Sequence, residues 1–352
     1  LSRTGFHDLA APLFERAVAL DPDPANFHYN LGSSLQFLGR FEAAKSAYLA
    51  AMQRDPSLHR VWSSLISLSK QTEDDHHLDQ LEALFEAHSD DTDARLHYGH
   101  AIAKTLEDLG RHEESLTWLQ RAKAHKRAEI QFNIDRELMH FQAARATLTN
   151  ATPATENPTA AAPIFIIGLP RTGTTLVDRI LSSHDDVVSA GELNTFAGLI
   201  TKAAATPANL VRDVESLAAA DTFDLAAIGR DYMQDTAVLA KGAPRFTDKM
   251  PLNFFYAGLI HRALPNARLV ALRRNPMDSC LSNYRQLFAT GFSYYNYTFD
   301  LGDTARFYHA FDELMAHWRA VIPADRFMEI HYEDIVFHQD RETRRLLEFC
   351  DL

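Results

Sequence analysis

The chain has 352 residues, and at about 150 residues per domain that length corresponds to roughly two domains. Lys and Arg number 35 against 47 Asp and Glu, a formal net charge of −12. That charge excludes a nucleic-acid binder relying on a chain-wide basic field, while leaving room for a local basic pocket. A composition of 46% hydrophobic and 23% charged residues excludes global disorder. No apolar run reaches the length of about 18 residues that a spanning helix needs, so no membrane span is expected in this stretch. Two cysteines cannot form a disulfide framework and point to a reducing, cytoplasmic compartment. The chain opens at Leu1 inside a repeat and is read as a fragment, which leaves open a targeting segment ahead of it.

The first third repeats itself. A shift of 34 residues aligns Gly5 with Gly39, Ala10 with Ala44, Phe14 with Tyr48, Ala17 with Ala51 and Pro22 with Pro56. Small residues at fixed positions let two helices approach closely, Gly39 suits the turn between them, and Pro56 opens the next connection. This pattern resembles tetratricopeptide repeats, which are pairs of antiparallel helices. The first repeat retains only its second helix, and the third is degenerate, with Trp62 and Leu65 fitting but its Ala and Gly positions lost. Leu35–Arg40 recurs as Leu106–Arg111, and Ala122 follows at the small position, so the array is expected to run to about Lys126. Beyond it, Ile130, Ile134, Leu138 and Phe141 share one helical face and are expected to form a capping helix, giving a repeat domain over 1–147. Such an array offers a groove for a protein or peptide, braces a neighbouring domain, or pairs two copies in a homodimer.

Residues 148–163 are small and polar and are interrupted by Pro153, Pro158 and Pro163, which marks a linker. The texture then alternates between apolar strands and helical segments, the pattern of an α/β domain with a central parallel sheet over 164–352. Ile164–Ile167 reads as a buried strand, and Gly168–Gly173 as a loop entering a helix that carries Leu176, Ile180 and Leu181. Strand, glycine-bounded loop and helix together form an anion site, because loop amides and the positive helix end converge. The glycine spacing equals that of the nucleotide triphosphate loop, but Thr174 stands where that loop has its Lys, and Arg171 supplies a cation earlier. A kinase or ATPase would lose its main β/γ-phosphate contact, and no clear metal-bearing Asp strand is present.

Further stretches complete a resemblance. Glu192 follows Gly191 after a short apolar strand, Lys249 precedes a helix, and Arg268–Ser282 reads as a strand then a helix with Asn275 as N-cap and Pro276 in its first turn. Pro170–Leu176 resembles the 5′-phosphosulfate loop of the sulfotransferases that use 3′-phosphoadenosine 5′-phosphosulfate (PAPS), and Arg274–Ser282 resembles their 3′-phosphate motif R-x-P-x-D-x-x-x-S. Preceded by the repeats, the chain resembles the bacterial repeat–sulfotransferase proteins, a subgroup that Tyr297–Trp318 and Ile330–Asp334 also fit. The resemblance implies PAPS as donor, no metal, and donor-binding roles for Arg171, Thr172, Gly173, Thr174, Thr175, Leu176, Arg274 and Ser282.

The same resemblance assigns the chemistry. Cytosolic sulfotransferases place a His base two residues after the Lys, where this chain has Pro251. Tyrosylprotein sulfotransferases use a Glu in a Gly-Glu context, which Gly191-Glu192 matches. Glu192 is therefore expected as base, Lys249 as the cation on the leaving oxygen and Arg171 as a second clamp on the sulfuryl group. The hydroxyl acceptor is expected on a peptide tyrosine, with a carbohydrate close behind. The aromatic run Phe292–Phe299 reads either as an acceptor wall or, slightly preferred, as packing against the repeats, and His331, Tyr332 and Glu333 read as structural. The alternative from another class is a non-catalytic repeat scaffold with a nucleotide-sensing domain. The family also closes its donor site with residues nearer the C-terminus, and the sequence ends at Leu352 before such a motif, so the domain is expected to be C-terminally incomplete.

Overall fold

The structure is a computed structural model that describes residues 7–150, 162–206 and 213–352. Gly5 of the repeat alignment and residues 151–161 of the expected linker lie outside the described residues. The chain divides into two compact units, Leu1–Phe132 and Asn133–Leu352.

The first unit is helical throughout its named elements: α1 (His7–Leu20), α2 (Ala25–Phe37), α3 (Phe41–Arg54), α4 (Arg60–Ser67), α5 (Leu78–Ala87), α6 (Thr92–Asp108) and α7 (His112–Ile130). The pairs α2/α3 and α6/α7 turn through Gly39 (φ +73°) and Gly110 (φ +78°), left-handed positions that glycine adopts without penalty. Close approach explains the small residues. A Cβ on Gly99 would stand 2.4 Å from the Ala122 Cβ, and one on Gly32 would stand 2.7 Å from the Tyr48 ring. Ala44 and Ala51 are fully buried. The degenerate third repeat is α4/α5, whose first helix is cut to eight residues.

The expected capping helix is corrected in two respects. Gln131 adopts a left-handed conformation (φ 47°), so Ile130 ends α7 and a new helix, α8 (Ile134–Ala146), starts behind the N-cap Asn133. That helix packs within the second unit, where Phe141 meets Phe255 at 4.7 Å and Phe307 at 4.9 Å between ring centroids. The aromatic density of those partners outweighs the helical periodicity that continues across residue 131.

The second unit continues with β1 (Ala162–Gly168), α9 (Thr174–Ser182), β2 (Val187–Ser189), α10 (Thr195–Ala204), α11 (Val214–Ala218), α12 (Leu225–Ala240) and β3 (Arg245–Asp248). A short 3-10 stretch (Pro251–Tyr256) leads to α13 (Ala257–Ala263), β4 (Arg268–Arg273) and α14 (Pro276–Arg285). A second 3-10 stretch (Ser293–Phe299) precedes α15 (Leu301–Val321), β5 (Phe327–His331), α16 (Tyr332–Phe337) and α17 (Gln339–Phe349). The strands form one parallel sheet in the order β2-β3-β1-β4-β5. Every residue of β1 is buried, as a central strand covered on both faces requires. Register places Phe165 beside Asp248 and Gly168 beside Leu272. The carboxyl ends of all five strands therefore share one edge, which is where open parallel sheets build ligand sites.

Candidate active site

At that edge β1 passes into the glycine-bounded loop. Gly168 has φ +148°, and a Cβ there would stand 2.8 Å from the Leu272 carbonyl oxygen, so β4 approaches too closely for any side chain. Arg171 is also left-handed (φ 66°) and exposed. The Thr172 hydroxyl turns inward and donates to the Leu169 carbonyl at 2.7 Å, bracing the loop. Gly173 (φ 100°) is the N-cap of α9 and supplies no side-chain acceptor. The Leu176 and Val177 amides donate to the Gly173 carbonyl at 2.9 and 3.2 Å, which leaves the Thr174 and Thr175 amides at the helix end for an anion, beside the hydroxyls of the same two residues.

The strand β4 delivers two arginines to the same edge with opposite fates. Arg273 is an anchor, ion-paired to Glu329 at 2.8 Å and to Asp312. Arg274 turns to the loop, donates to the Arg171 carbonyl at 2.9 Å and lies over the Tyr332 ring at 4.8 Å. Behind it, Asn275 caps α14 by accepting from the Met277 and Asp278 amides, and its own N–H donates to Glu333 Oε1 at 2.8 Å. Asn283, one face down α14, donates to the Pro170 carbonyl at 2.8 Å and accepts from the Tyr297 hydroxyl at 2.8 Å. Loop and helix are thus stitched together by buried hydrogen bonds.

Glu192 and Lys249 come from separate strands. The turn after β2 carries Glu192, and Lys249 directly follows β3. The two side chains form an ion pair, with Lys249 12% exposed and Glu192 52% exposed. Glu192 joins Arg171, Thr174, Thr175 and Arg274 in the lining of a cleft of about 340 Å³, within the size range of small-molecule sites. Phe288 and Tyr295 line it too, with their rings stacked 4.2 Å apart.

Residues 163–352, more than half of the chain, match the sequence pattern of the sulfotransferase family. The chain belongs to the sulfotransferase family. Residues 25–58 match a tetratricopeptide repeat. An uncharacterized protein of Aquifex aeolicus (strain VF5) is 29% identical over 353 residues, covering 97% of this chain and 46% of that protein. A protein-tyrosine sulfotransferase of Drosophila melanogaster is 27% identical over 194 residues, covering 54% of this chain and 38% of that one. The chain therefore spans less than half the length of either relative. Among solved structures, a sulfotransferase domain from the curacin biosynthetic pathway aligns over 55% of this chain and 74% of its own, at 18% identity and a TM-score of 0.37.

Within the sulfotransferase domain, the expected site residues divide into three groups. Arg171, Gly173, Thr174, Thr175, Glu192 and Arg274 line the cleft, and Lys249 reaches it through its ion pair with Glu192. Thr172 and Leu176 stand behind it, the former bracing the loop and the latter packed on the sheet core with Val177 and Leu181. Ser282 is half-buried on α14, outside the lining of this cleft.

Other residues at this edge carried no local signal. Tyr332, read as structural, lines the cleft, and a Cβ on Gly173 would stand 2.6 Å from its ring. Of the aromatic run, Tyr295 lines the cleft, whereas Tyr297 is buried and stacked on Phe307 at 3.8 Å. Asp178 and Asp248 are buried carboxylates behind the Glu192 turn. Among the described residues, no group of three or more His, Cys, Asp or Glu is placed to hold a metal ion, and no helix is long and apolar enough to cross a membrane.

Proposed function

We propose that the domain transfers a sulfuryl group from PAPS to a hydroxyl acceptor, with Glu192 as base. The observation that carries this reading is the Glu192–Lys249 pair on a cleft that also gathers the anion-binding groups Arg171, Arg274 and the start of α9. In the reaction, the acceptor oxygen attacks sulfur in line while the bond between sulfur and the bridging phosphate oxygen breaks. The acceptor proton passes to the Glu192 carboxylate, Lys249 donates to the bridging oxygen as it gains charge, and Arg171 steadies the equatorial oxygens. Arg274 and Ser282 serve the 3′-phosphate, with Thr172, Gly173, Thr174, Thr175 and Leu176 forming the loop around the 5′ end. The products are a sulfate ester and 3′-phosphoadenosine 5′-phosphate.

A peptide tyrosine is the favoured acceptor and a carbohydrate hydroxyl the second. The stacked Phe288 and Tyr295 rings in the cleft suit a planar acceptor, and protein-tyrosine sulfotransferases are among the relatives. The repeats would bring the acceptor-bearing partner, in the cytoplasm.

Calorimetric titration of 3′-phosphoadenosine 5′-phosphate into the full-length protein tests the donor. Binding is expected and should be lost in Arg274→Ala. Transfer of radiolabelled sulfate from PAPS to a tyrosine peptide separates this enzyme from a repeat scaffold with a nucleotide sensor, which would bind the nucleotide and turn nothing over. No binding at all sinks the donor assignment.

A further inference from the structure

The turn that carries Glu192 is held by four hydrogen bonds. Ala190 N–H donates to the Thr247 carbonyl at 2.9 Å, and Lys249 N–H donates to the Gly191 carbonyl at 2.9 Å. Gly191 N–H donates to Ser189 Oγ at 3.3 Å, and Leu193 N–H donates to Asp248 Oδ1 at 3.4 Å. Both side-chain anchors trace back to buried carboxylates. Ser189 Oγ–H donates to Asp178 at 2.9 Å, and Asp178, in the second turn of α9, also accepts from the Thr247 hydroxyl at 2.5 Å. Asp248 is fully buried beside Lys249 in the chain and accepts from the Tyr232 hydroxyl of α12 at 2.9 Å and from Asn253 at 3.4 Å.

We propose that Asp248 is a positioning residue: its carboxylate anchors the Glu192 turn at Leu193 N–H, the next residue Lys249 closes the same turn through its own N–H to the Gly191 carbonyl, and the two anchors set the geometry of the Glu192–Lys249 pair. The inference rests on the sulfuryl-transfer reading only for its effect on turnover. Three things make Asp248 more than a packing residue. The donors reaching it are a phenol, an amide and a backbone N–H, all neutral, and burying a carboxylate among neutral donors is costly where an amide or an apolar side chain would pack as well. The donors come from three elements, α12, the Pro251–Tyr256 stretch and the Glu192 turn, so the group ties the turn to the body of the domain. Desolvation pushes its carboxyl up to about 7, opposed by those hydrogen bonds, and the neighbouring Glu192 charge adds to the rise.

The titratable groups facing it are Tyr232 from α12 and Glu192 from the turn, with Lys249 next in the chain. Loss of its charge weakens its acceptance from Leu193 N–H, which loosens the turn on the side that follows Glu192. Turnover should therefore fall on the acid side of neutrality.

The test pairs turnover with a readout that does not need it. Lys249 is acetylated with dilute acetic anhydride and followed by mass spectrometry, with the exposed Lys202 and Lys241 as internal references, in wild type, Asp248→Asn and Glu192→Gln. Asp248→Asn should raise Lys249 labelling severalfold, as Glu192→Gln should by removing the ion-pair partner, and leave the references unchanged. In PAPS turnover, Asp248→Asn should lower kcat about 10–100-fold, the scale of a misplaced catalytic group, and lose the acid limb of the kcat profile near neutral pH. Binding of 3′-phosphoadenosine 5′-phosphate should persist. Tyr232→Phe serves as a second variant that keeps the carboxylate and should move the acid limb to higher pH, since one hydrogen bond to the charged form is gone. Unchanged Lys249 labelling in Asp248→Asn, with labelling raised in Glu192→Gln, overturns the proposal whatever the activity. Increased labelling in a protein that never turns PAPS over upholds the positioning role and overturns the sulfuryl-transfer reading instead.

Discussion

Glu192 is half exposed on a fixed turn, so an isosteric change there alters chemistry without removing packing. Glu192→Gln keeps the side-chain volume but cannot take a proton. If Glu192 is the base, kcat should fall about 10²–10⁴-fold in steady-state PAPS assays, with nucleotide affinity unchanged by calorimetry. Near-normal turnover would remove it from that role. Among neighbouring residues, position in the chain says little about fate. Arg273 and Arg274 are adjacent, yet one is locked to Glu329 and Asp312 and the other faces the cleft, because successive side chains at the end of a strand point to opposite sides. Motif spacing singled out Arg274. Nothing local marked Asp248, whose partners Tyr232 and Leu193 lie on other elements.

Between elements, the determining quantity is closeness of approach. Helices α6 and α7 meet at Gly99, where a Cβ would stand 2.4 Å from the Ala122 Cβ and 3.1 Å from its Cα. Gly99→Ala must push the helices apart. It should cost about 1–3 kcal/mol, the usual cost of overpacking, read as a lowered urea midpoint with an unchanged slope. The repeat pattern was legible because such contacts recur every 34 residues and leave small residues at fixed positions. The capping helix was misread because periodicity runs on across Gln131, and only the left-handed break there and the aromatic partners Phe255 and Phe307 assign α8 to the second unit. In that unit, strand, loop and helix at 164–181 were read directly, since a buried apolar run followed by a glycine-bounded turn is local information.

Over the whole molecule, buried ionisable groups tilt stability with pH. Lys123 of α7 is fully buried, and desolvation pushes its ammonium down to about 7. Between that value and the ordinary lysine value the unfolded chain binds a proton that the folded chain does not. Stability from this group therefore rises with pH through that window and is lost as pH falls towards 7. Lys123→Met should remove the slope, at most about 1.4 kcal/mol per pH unit, as measured by the wild-type minus variant difference in urea unfolding free energy at pH 7, 8.5 and 10. Equal slopes would mean that Lys123 keeps its proton on folding.

The amino-acid sequence by itself determined the helical repeat, the parallel α/β class, the glycine-bounded loop at Gly168–Gly173 and the caps of α14. The loop and the caps are encoded within a few residues by the geometry of one turn, and the repeat and the sheet class by patterns of short units that recur along the chain. Only the tertiary structure decided that Glu192 and Lys249 pair, that Tyr332 lies beneath Gly173, and that Asp178 and Asp248 hold the Glu192 turn. Those groups stand 11 to 159 positions apart and belong to separate elements. Burial and strand register bring them together, and no short-range pattern records either.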